Sequence, residues 1–177
     1  GLHYAEPCLL APRGETLEVA ATEVPDRLDQ LLLERNGDAR MMARSFSNHM
    51  EDQARLTAFL AWMKEIHAPM YLWLGVTNHD GRVVASTNPA FLGQDMSHET
   101  WFRSVLDGRT MYLSDVQPDI PSGGVEAVAF TVPITGPRGE FLGAVTTRVG
   151  LETFEDAVTR TIGAFRERDE FLRTIEY

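Results

Sequence analysis

Residues 71–88 read Tyr-Leu-Trp-Leu-Gly-Val-Thr, then Asn-His-Asp-Gly, then Arg-Val-Val-Ala-Ser-Thr-Asn. Two apolar runs rich in β-branched and aromatic residues, joined by Asp80-Gly81, predict a β-hairpin, because Asp-Gly suits the tight turn between antiparallel strands. The same pattern recurs from Val125 to Val149, with Gly136-Pro-Arg-Gly139 as the turn. Together these two strand pairs predict a small antiparallel sheet.

Helical patterns flank this sheet on both sides. Apolar residues recur at close to helical spacing in residues 26–46 and 56–66, and again after Gly150. Gly37 favours a kink or break in the first helix, because glycine costs about 1 kcal/mol there relative to alanine. Pro69 ends the second helix. Nothing alternates as βαβ units require, so the order predicts an α+β domain with an antiparallel sheet.

Three further boundaries follow from the same patterns. Residues 1–25 hold several prolines and little periodicity, which predicts an irregular lead-in, with room for a helical piece near Leu17, before one domain over residues 26–172. A short helix is expected around Trp101, with Ser97 as its N-cap. The last residues, 173–177, resemble the start of another strand, after a closing helix that ends near Glu170.

Composition excludes several classes of function. The chain has 177 residues, of which 44% are hydrophobic, and this is enough for one well-buried domain. Its net charge of -10 and scattered basic residues argue against nucleic-acid binding. A single cysteine, Cys8, excludes an intrachain disulfide and a cysteine-based zinc site. No apolar stretch approaches the ~20 residues of a membrane span.

Catalytic and metal-binding patterns are also missing from the sequence. None of the five histidines has the spacing of a helical metal pair, and there is no nucleophile elbow or phosphate loop. Ser97-His98-Glu99 contains the residue types of a hydrolase triad, but sequence neighbours rarely converge in space. We therefore expect neither catalysis nor a bound cofactor or metal.

The candidate ligand-binding residues lie on the predicted strands and the short helix. Thr146 and Arg148 share one face of the last strand, where small residues with one arginine suit a concave floor with a charged contact. Arg148 could instead pair with an acid at the sheet edge, and Trp101 and Phe102 could belong to the core. In the first strand, Trp73 is expected on the same face as Tyr71. The candidate set is Glu99, Trp101, Phe102, Tyr112, Ser114, Gln117, Phe130, Thr146 and Arg148.

The order of several short motifs resembles a Cache domain, the extracytoplasmic sensor module of bacterial chemoreceptors, histidine kinases and diguanylate cyclases. The motifs that carry the resemblance are Leu74-Gly-Val-Thr-Asn-His-Asp-Gly-Arg-Val-Val-Ala-Ser-Thr-Asn88, Leu92-Gly-Gln-Asp-Met-Ser97, Trp101-Phe102, Ser114-Asp-Val116, Val132-Pro-Ile134 and Gly139-Glu-Phe-Leu-Gly-Ala-Val145. With the helical lead-in, the resemblance covers most of residues 26–160.

The resemblance implies a PAS-like sheet of about five strands, long N-terminal helices and a ligand pocket on the sheet face, covered by the segment around Trp101. It further implies a soluble fragment on the periplasmic or extracellular face of a bacterial inner membrane. Membrane spans would lie outside this chain, a second Cache module would begin near residue 173, and a homodimer is compatible with it. The alternative is a cytoplasmic PAS- or GAF-like regulatory module that works by dimerisation.

One departure from the family pattern bears on the ligand. Cache domains that bind amino acids are similar to one another in an Arg two places before the Trp and an Asp on the last strand. Here those positions hold Glu99 and Arg148, and Gln117 stands where a Tyr is usual. We therefore expect ordinary α-amino acids to bind poorly, and an organic acid on Arg148 or a cation on Glu99 and Trp101 to fit better. Glu99 and Arg148 could also pair with each other and leave the pocket empty.

Overall fold

A computed structural model describes residues 16–176 of the chain. It contains four α-helices, two short 3₁₀ turns and six strands among those residues. In chain order these are α1 (Thr16–Phe46), α2 (Gln53–Ile66), β1 (Tyr71–Asn78), β2 (Val83–Ser86), a 3₁₀ turn (Pro89–Phe91), α3 (Thr100–Leu106), β3 (Tyr112–Leu113), β4 (Gln117–Asp119), a second 3₁₀ turn (Ile120–Ser122), β5 (Val125–Thr135), β6 (Phe141–Gly150) and α4 (Leu151–Glu176).

The chain divides into two compact units. One contains the part of α1 up to Glu34 together with α4 from Glu152. The other runs from Arg35 to Leu151 and contains the whole sheet. The candidate site described below lies entirely within this second unit.

The sheet is antiparallel throughout, with the strand order β2-β1-β6-β5-β3 and with β4 also paired to β5. Its register sets Arg148 between Trp73 of β1 and Ala129 of β5. Because directly paired residues share a face, these three side chains lie on the same side of the sheet. The predicted α+β class with a PAS-like antiparallel sheet is confirmed. The segment after α3 supplies two short strands, which brings the total to six.

A register shift separates Tyr71 from Trp73. Tyr71 pairs with Val149, whereas Trp73 pairs with Arg148, so their side chains lie on different faces. The prediction that they share a face was wrong, because the irregularity between them breaks the two-residue alternation. The Tyr71 hydroxyl consequently donates to a carboxylate oxygen of Asp38 on α1.

Apolar side chains cover both faces of the sheet. On the Arg148 side, α3 buries Phe102 and Val105 against Val83, Met96 and Ala144. The helix α2 buries one stripe, and it contacts β1 and β2. That stripe consists of Leu56, Leu60 and Met63. The two long helices of this unit also meet directly, since the Phe46 and Phe59 rings pack edge to face with centroids 5.4 Å apart.

Several helix boundaries differ from the sequence prediction. Residues 16–25 belong to α1 instead of an irregular lead-in, and residues 1–15 lie outside the described part. Gly37 neither breaks nor ends α1. Beyond it the helix buries Ala39, Met42 and Phe46, and packing of this kind outweighs one unfavourable residue.

Two smaller differences concern α3 and α4. The N-cap of α3 is Glu99 instead of Ser97, whose backbone N–H is taken by the Asp95 carboxylate. The closing helix α4 continues through Glu176, where a strand was expected from residue 173. Among the described residues, no helix is both long enough and apolar enough to cross a membrane.

Candidate ligand-binding site

A cavity of about 500 Å³ opens on the Arg148 face of the sheet. Its floor includes Trp73, Ala129 and Arg148. Residues 94–96, 98–101 and 117–121 complete the lining together with Phe91 and Tyr112. The size falls within the range of small-molecule sites, and the lining mixes aromatic rings with a few charged groups, as such sites do.

Arg148 is the most constrained charged group in this cavity, with 5% of its side chain exposed. Its Nε donates to Asp119 Oδ1 at 2.8 Å, and its Nη1 donates to Thr146 Oγ1 at 2.6 Å and to the Thr147 carbonyl at 3.0 Å. Its Nη2 donates to none of the described residues. One face of the guanidinium fork is therefore fixed by the protein, and the remaining nitrogen is available to a ligand.

Two indole rings contact the guanidinium, one from β1 and one from α3. The guanidinium carbon lies 5.0 Å from the ring centroid of Trp73 and 5.5 Å from that of Trp101. Both distances are within the range of cation–π attraction. Burial lowers the pKa of Arg148, and the carboxylate of Asp119 opposes that shift. A guanidinium keeps its charge in proteins at neutral pH, so the cavity floor carries a buried cation.

Asp119 is fixed as firmly as its partner. It ends β4 and caps the following 3₁₀ turn, where its Oδ2 accepts from both the backbone N–H and the hydroxyl of Ser122. Only 12% of its side chain is exposed. The result is a poorly hydrated ion pair in which each partner also has other hydrogen bonds, the condition under which such a pair persists.

The position of Trp73 depends on a small neighbour and a hydroxyl. Its Nε1 donates to Ser86 Oγ at 2.9 Å. A Cβ added to Gly75 would lie 2.6 Å from the Trp73 ring, so glycine is the residue that leaves room for the indole. The ring is thereby held flat enough on the sheet to form the cavity floor.

Five of the nine predicted site residues line the cavity: Glu99, Trp101, Tyr112, Gln117 and Arg148. The sequence left open whether Arg148 would meet a ligand or pair with an acid, and the structure gives it both an acid partner and a place in the cavity. Its ion-pair partner is Asp119, whereas Glu99 lies 3.7 Å from His98. That these five residues bind a ligand stays a prediction.

The other four predicted residues lie outside the lining. Phe102 packs edge to face on Phe141 in the core, with centroids 5.7 Å apart. Ser114 Oγ accepts from Ala129 N–H and donates to the Asp115 carbonyl, which ties β3 to β5.

Thr146 and Phe130 complete the set of residues outside the lining. The Thr146 hydroxyl is 2.7 Å from that of Thr131 and supports Arg148 from beneath. Phe130 pairs with Thr147 and so lies on the opposite face of the sheet from Arg148. Strand alternation decides this placement, because Ala129 occupies the cavity side.

Sequence reasoning missed Asp119 and Trp73 as parts of the site. Asp119 is the last residue of β4, a strand of only three residues, which is too short to show a period-2 pattern. Its position before Ile120-Pro121 is nevertheless typical of a capping aspartate, which was the available signal. Trp73 stands two residues before Gly75 on one face, a large–small pairing that indicates a ring lying over a glycine.

No family model matches the sequence, and no curated protein matches it. Solved structures match its fold. The sensor domain of DcuS from E. coli has a TM-score of 0.63 at 14% identity, covering 75% of this chain and 98% of that one. The sensor domain of the histidine kinase DctB from V. cholerae has a TM-score of 0.63 at 13% identity, covering 80% and 57%.

A third neighbour is the ligand-binding domain of the chemoreceptor CtaA from Pseudomonas fluorescens in complex with L-serine. It has a TM-score of 0.61 at 16% identity, covering 75% of this chain and 56% of that one. This chain therefore spans almost all of the DcuS domain but little more than half of the other two. It has the fold of Cache-like sensor domains, and the resemblance noted in the sequence is confirmed at the level of fold. The neighbours are sensor and ligand-binding domains, not catalytic ones.

These neighbours correct the expectation about the ligand. CtaA holds L-serine in one structure and L-leucine in another, and the ligand-binding domain of Mlp24 holds asparagine. The expectation that ordinary α-amino acids bind poorly was therefore wrong. Its physical basis was that Glu99 and Arg148 stand where amino-acid-binding Cache domains have an Arg and an Asp, but the structure places the guanidinium of Arg148 beside a carboxylate from β4, that of Asp119.

Proposed function

We propose that this chain is the extracytoplasmic small-molecule sensor domain of a membrane-bound bacterial receptor, and that the cavity over Arg148 binds a small α-amino acid. The single observation that carries the proposal is the Arg148–Asp119 pair at the cavity floor, which presents a cation and an anion side by side. An α-amino acid carries the complementary pair of charges at one carbon. The ligands held by CtaA and Mlp24 support the same class.

In this proposal each group of the pair has its own role. The ligand carboxylate accepts from Arg148 Nη2, since Nε and Nη1 already donate within the protein. The ligand ammonium donates to Asp119, whose Oδ1 carries only the Arg148 bond. Because both protein groups are held before the ligand arrives, little conformational entropy is lost on binding. The ligand side chain would lie among the rings of Trp101, Tyr112 and Phe91.

The site is joined directly to a terminal helix along the chain. Arg148 lies close to the end of β6 at Gly150, and α4 begins at the next residue, Leu151. We propose that a change at Arg148 on binding is passed to α4 and from there to an output domain beyond a membrane span. Receptors in which these spans flank the sensor would place this chain on the periplasmic or extracellular face.

A thermal-shift screen of the purified domain with the twenty L-amino acids tests the ligand proposal. A ligand at 100 times its Kd stabilises by about 2.7 kcal/mol, which corresponds to a rise in Tm of about 5–11 °C for a chain of this size. At least one amino acid should give such a rise. A flat response across the panel at millimolar concentrations would overturn the proposed ligand class.

A pair of tryptophan variants assigns the binding to this cavity. Trp101→Leu removes an indole that lines the cavity, and Trp62→Leu removes an indole on α2 that is 52% exposed. The first substitution should abolish or strongly weaken the ligand-induced shift, and the second should leave it unchanged. Equal effects of the two substitutions would place the binding elsewhere.

The receptor context has a separate test in the parent gene. Apolar spans encoded on both sides of this segment, with a kinase, cyclase or chemotaxis output domain, are what the proposal requires. Their absence would favour the alternative of a cytoplasmic regulatory module, whatever the thermal-shift screen shows.

A further inference from the structure

The charged groups that line the cavity do not balance. Three carboxylates, Asp95, Glu99 and Asp119, face it together with one guanidinium, that of Arg148. We propose that the site selects, among α-amino acids, those whose side chain carries a second positive charge, such as lysine or ornithine. This inference rests on the proposed function and names the ligand class for the same site.

The inner pair accounts for the α-groups of any amino acid. The ligand carboxylate and ammonium meet Arg148 and Asp119, and these two protein charges cancel each other. They therefore give no preference between a neutral and a charged ligand side chain. Discrimination must come from Asp95 and Glu99, the other two carboxylates in the lining.

Of the carboxylates of Asp95 and Glu99, that of Glu99 is the one we expect to contact the ligand side chain. Its carboxylate is 42% exposed and lies 3.7 Å from the imidazole of His98, which is itself 74% exposed. It stands at the N-cap of α3 without making a side-chain capping bond, and its ion-pair contact is with the exposed His98. Two residues after Glu99 comes Trp101, whose ring lines the same cavity and can contact an ammonium or a guanidinium through its face.

Asp95 adds a second negative charge at the cavity wall. The backbone N–H of Ser97 donates to one of its carboxylate oxygens at 2.9 Å, and this hydrogen bond holds the pKa of Asp95 below its usual range. Arg82 pairs with Asp95 through an isolated bridge, but its guanidinium donates to the Gly93 carbonyl at 2.6 Å and does not line the cavity. The charge of Arg82 acts on Asp95 from outside the lining, whereas within the lining three carboxylates stand against one guanidinium.

The matched probes are L-lysine and L-norleucine, which share an unbranched four-carbon side chain, to which lysine adds a terminal ammonium. L-glutamate provides the opposite charge. Isothermal titration calorimetry of the purified domain should give a Kd for lysine at least tenfold lower than that for norleucine. Glutamate should bind more weakly than either. The cavity of about 500 Å³ is large enough for all three.

Two glutamate variants separate the local charge from the net charge of the protein. Glu99→Gln should reduce the lysine-to-norleucine ratio several-fold while the Kd for norleucine changes little. Glu65→Gln removes the same charge from the exposed surface of α2 and should leave the ratio unchanged. The Tm of each unliganded variant shows that it is folded.

Four results would overturn the inference. Equal affinities for lysine and norleucine would do so while leaving the proposed amino-acid site intact, and tighter binding of glutamate would do the same. If the lysine-to-norleucine affinity ratio fell equally in Glu99→Gln and Glu65→Gln, the preference would come from the net charge of the protein instead of from Glu99. Binding of no amino acid at all would remove the proposed function together with this inference.

Discussion

Replacing Arg148 by methionine is the substitution with the most informative consequences. The change keeps much of the aliphatic stem but removes a cation that is almost fully buried between Trp73 and Trp101. Asp119 then keeps its carboxylate in a place where only 12% of the side chain reaches solvent. The folded state must hold that charge without its partner.

The expected cost can be worked from these contacts. Removing one partner of a buried ion pair costs about 3–5 kcal/mol, because the other charge stays desolvated. Ser122 still donates two hydrogen bonds to Asp119, so we expect a loss at the lower end, about 3 kcal/mol. For a chain of this size such a loss lowers Tm by about 6–12 °C.

Urea unfolding measures the loss, and a double-mutant cycle isolates the pair. Asp119→Asn keeps an acceptor for Ser122 but removes the negative charge, so Arg148→Met should cost much less in that background. Arg103→Met is the matched control, since Arg103 is an exposed arginine with one long bond to the Ser97 carbonyl at 3.3 Å. It should change stability by less than about 0.5 kcal/mol. Additive effects in the cycle, within about 0.5 kcal/mol, would refute a buried pair.

Three further predictions follow from the glycines and from Tyr71. Gly75→Ala should destabilise the domain by about 1–3 kcal/mol and weaken ligand binding, because its Cβ would displace the Trp73 ring; Gly37→Ala, in open space on α1, should be neutral or stabilising, and urea unfolding with ligand titration checks both. Gly143→Ala should cost about 3 kcal/mol, because φ is +156° and a Cβ would meet the Thr77 carbonyl, whereas Gly163→Ala on α4 meets nothing within 4 Å and should not destabilise; thermal unfolding compares them, and equal Tm values would contradict the β1–β6 contact. Burial raises the pKa of Tyr71 above its ordinary value of 10.0, so the folded state holds the phenol proton more tightly than the unfolded state. Its contribution is therefore complete below pH 10 and is lost as pH rises beyond it. Tyr71→Phe should flatten the fall in unfolding free energy above pH 10, which urea unfolding over a series of pH values measures.

The sheet was predictable because its signals are local. Asp80-Gly81 and the Gly136–Gly139 turn fix two hairpins, and the alternation in β6 put Arg148 on the same face as Thr146, as observed. Trp101 and Arg148 were expected to meet across a hollow, and both line the cavity. Patterns of period two and tight turns determine these placements without long-range information.

The rest depended on contacts that local patterns do not carry. A shift in register between Tyr71 and Trp73 reversed the face of Tyr71, and nothing in the composition of β1 signals it. Gly37 remained helical because the residues after it are buried, which propensity alone does not show. The ion-pair partner of Arg148 is Asp119, 29 residues earlier in the chain. A prediction of the site's charges from motif positions on the last strand therefore could not include it.

The central claim is that the cavity over Arg148 binds the ligand through its α-groups. The most direct measurement is a crystal structure of the domain with the amino acid that gives the largest thermal shift. The account predicts a ligand carboxylate within hydrogen-bond distance of Arg148 Nη2 and an ammonium against Asp119, under the Trp101 ring. A ligand bound at another surface while this cavity stays empty would contradict it.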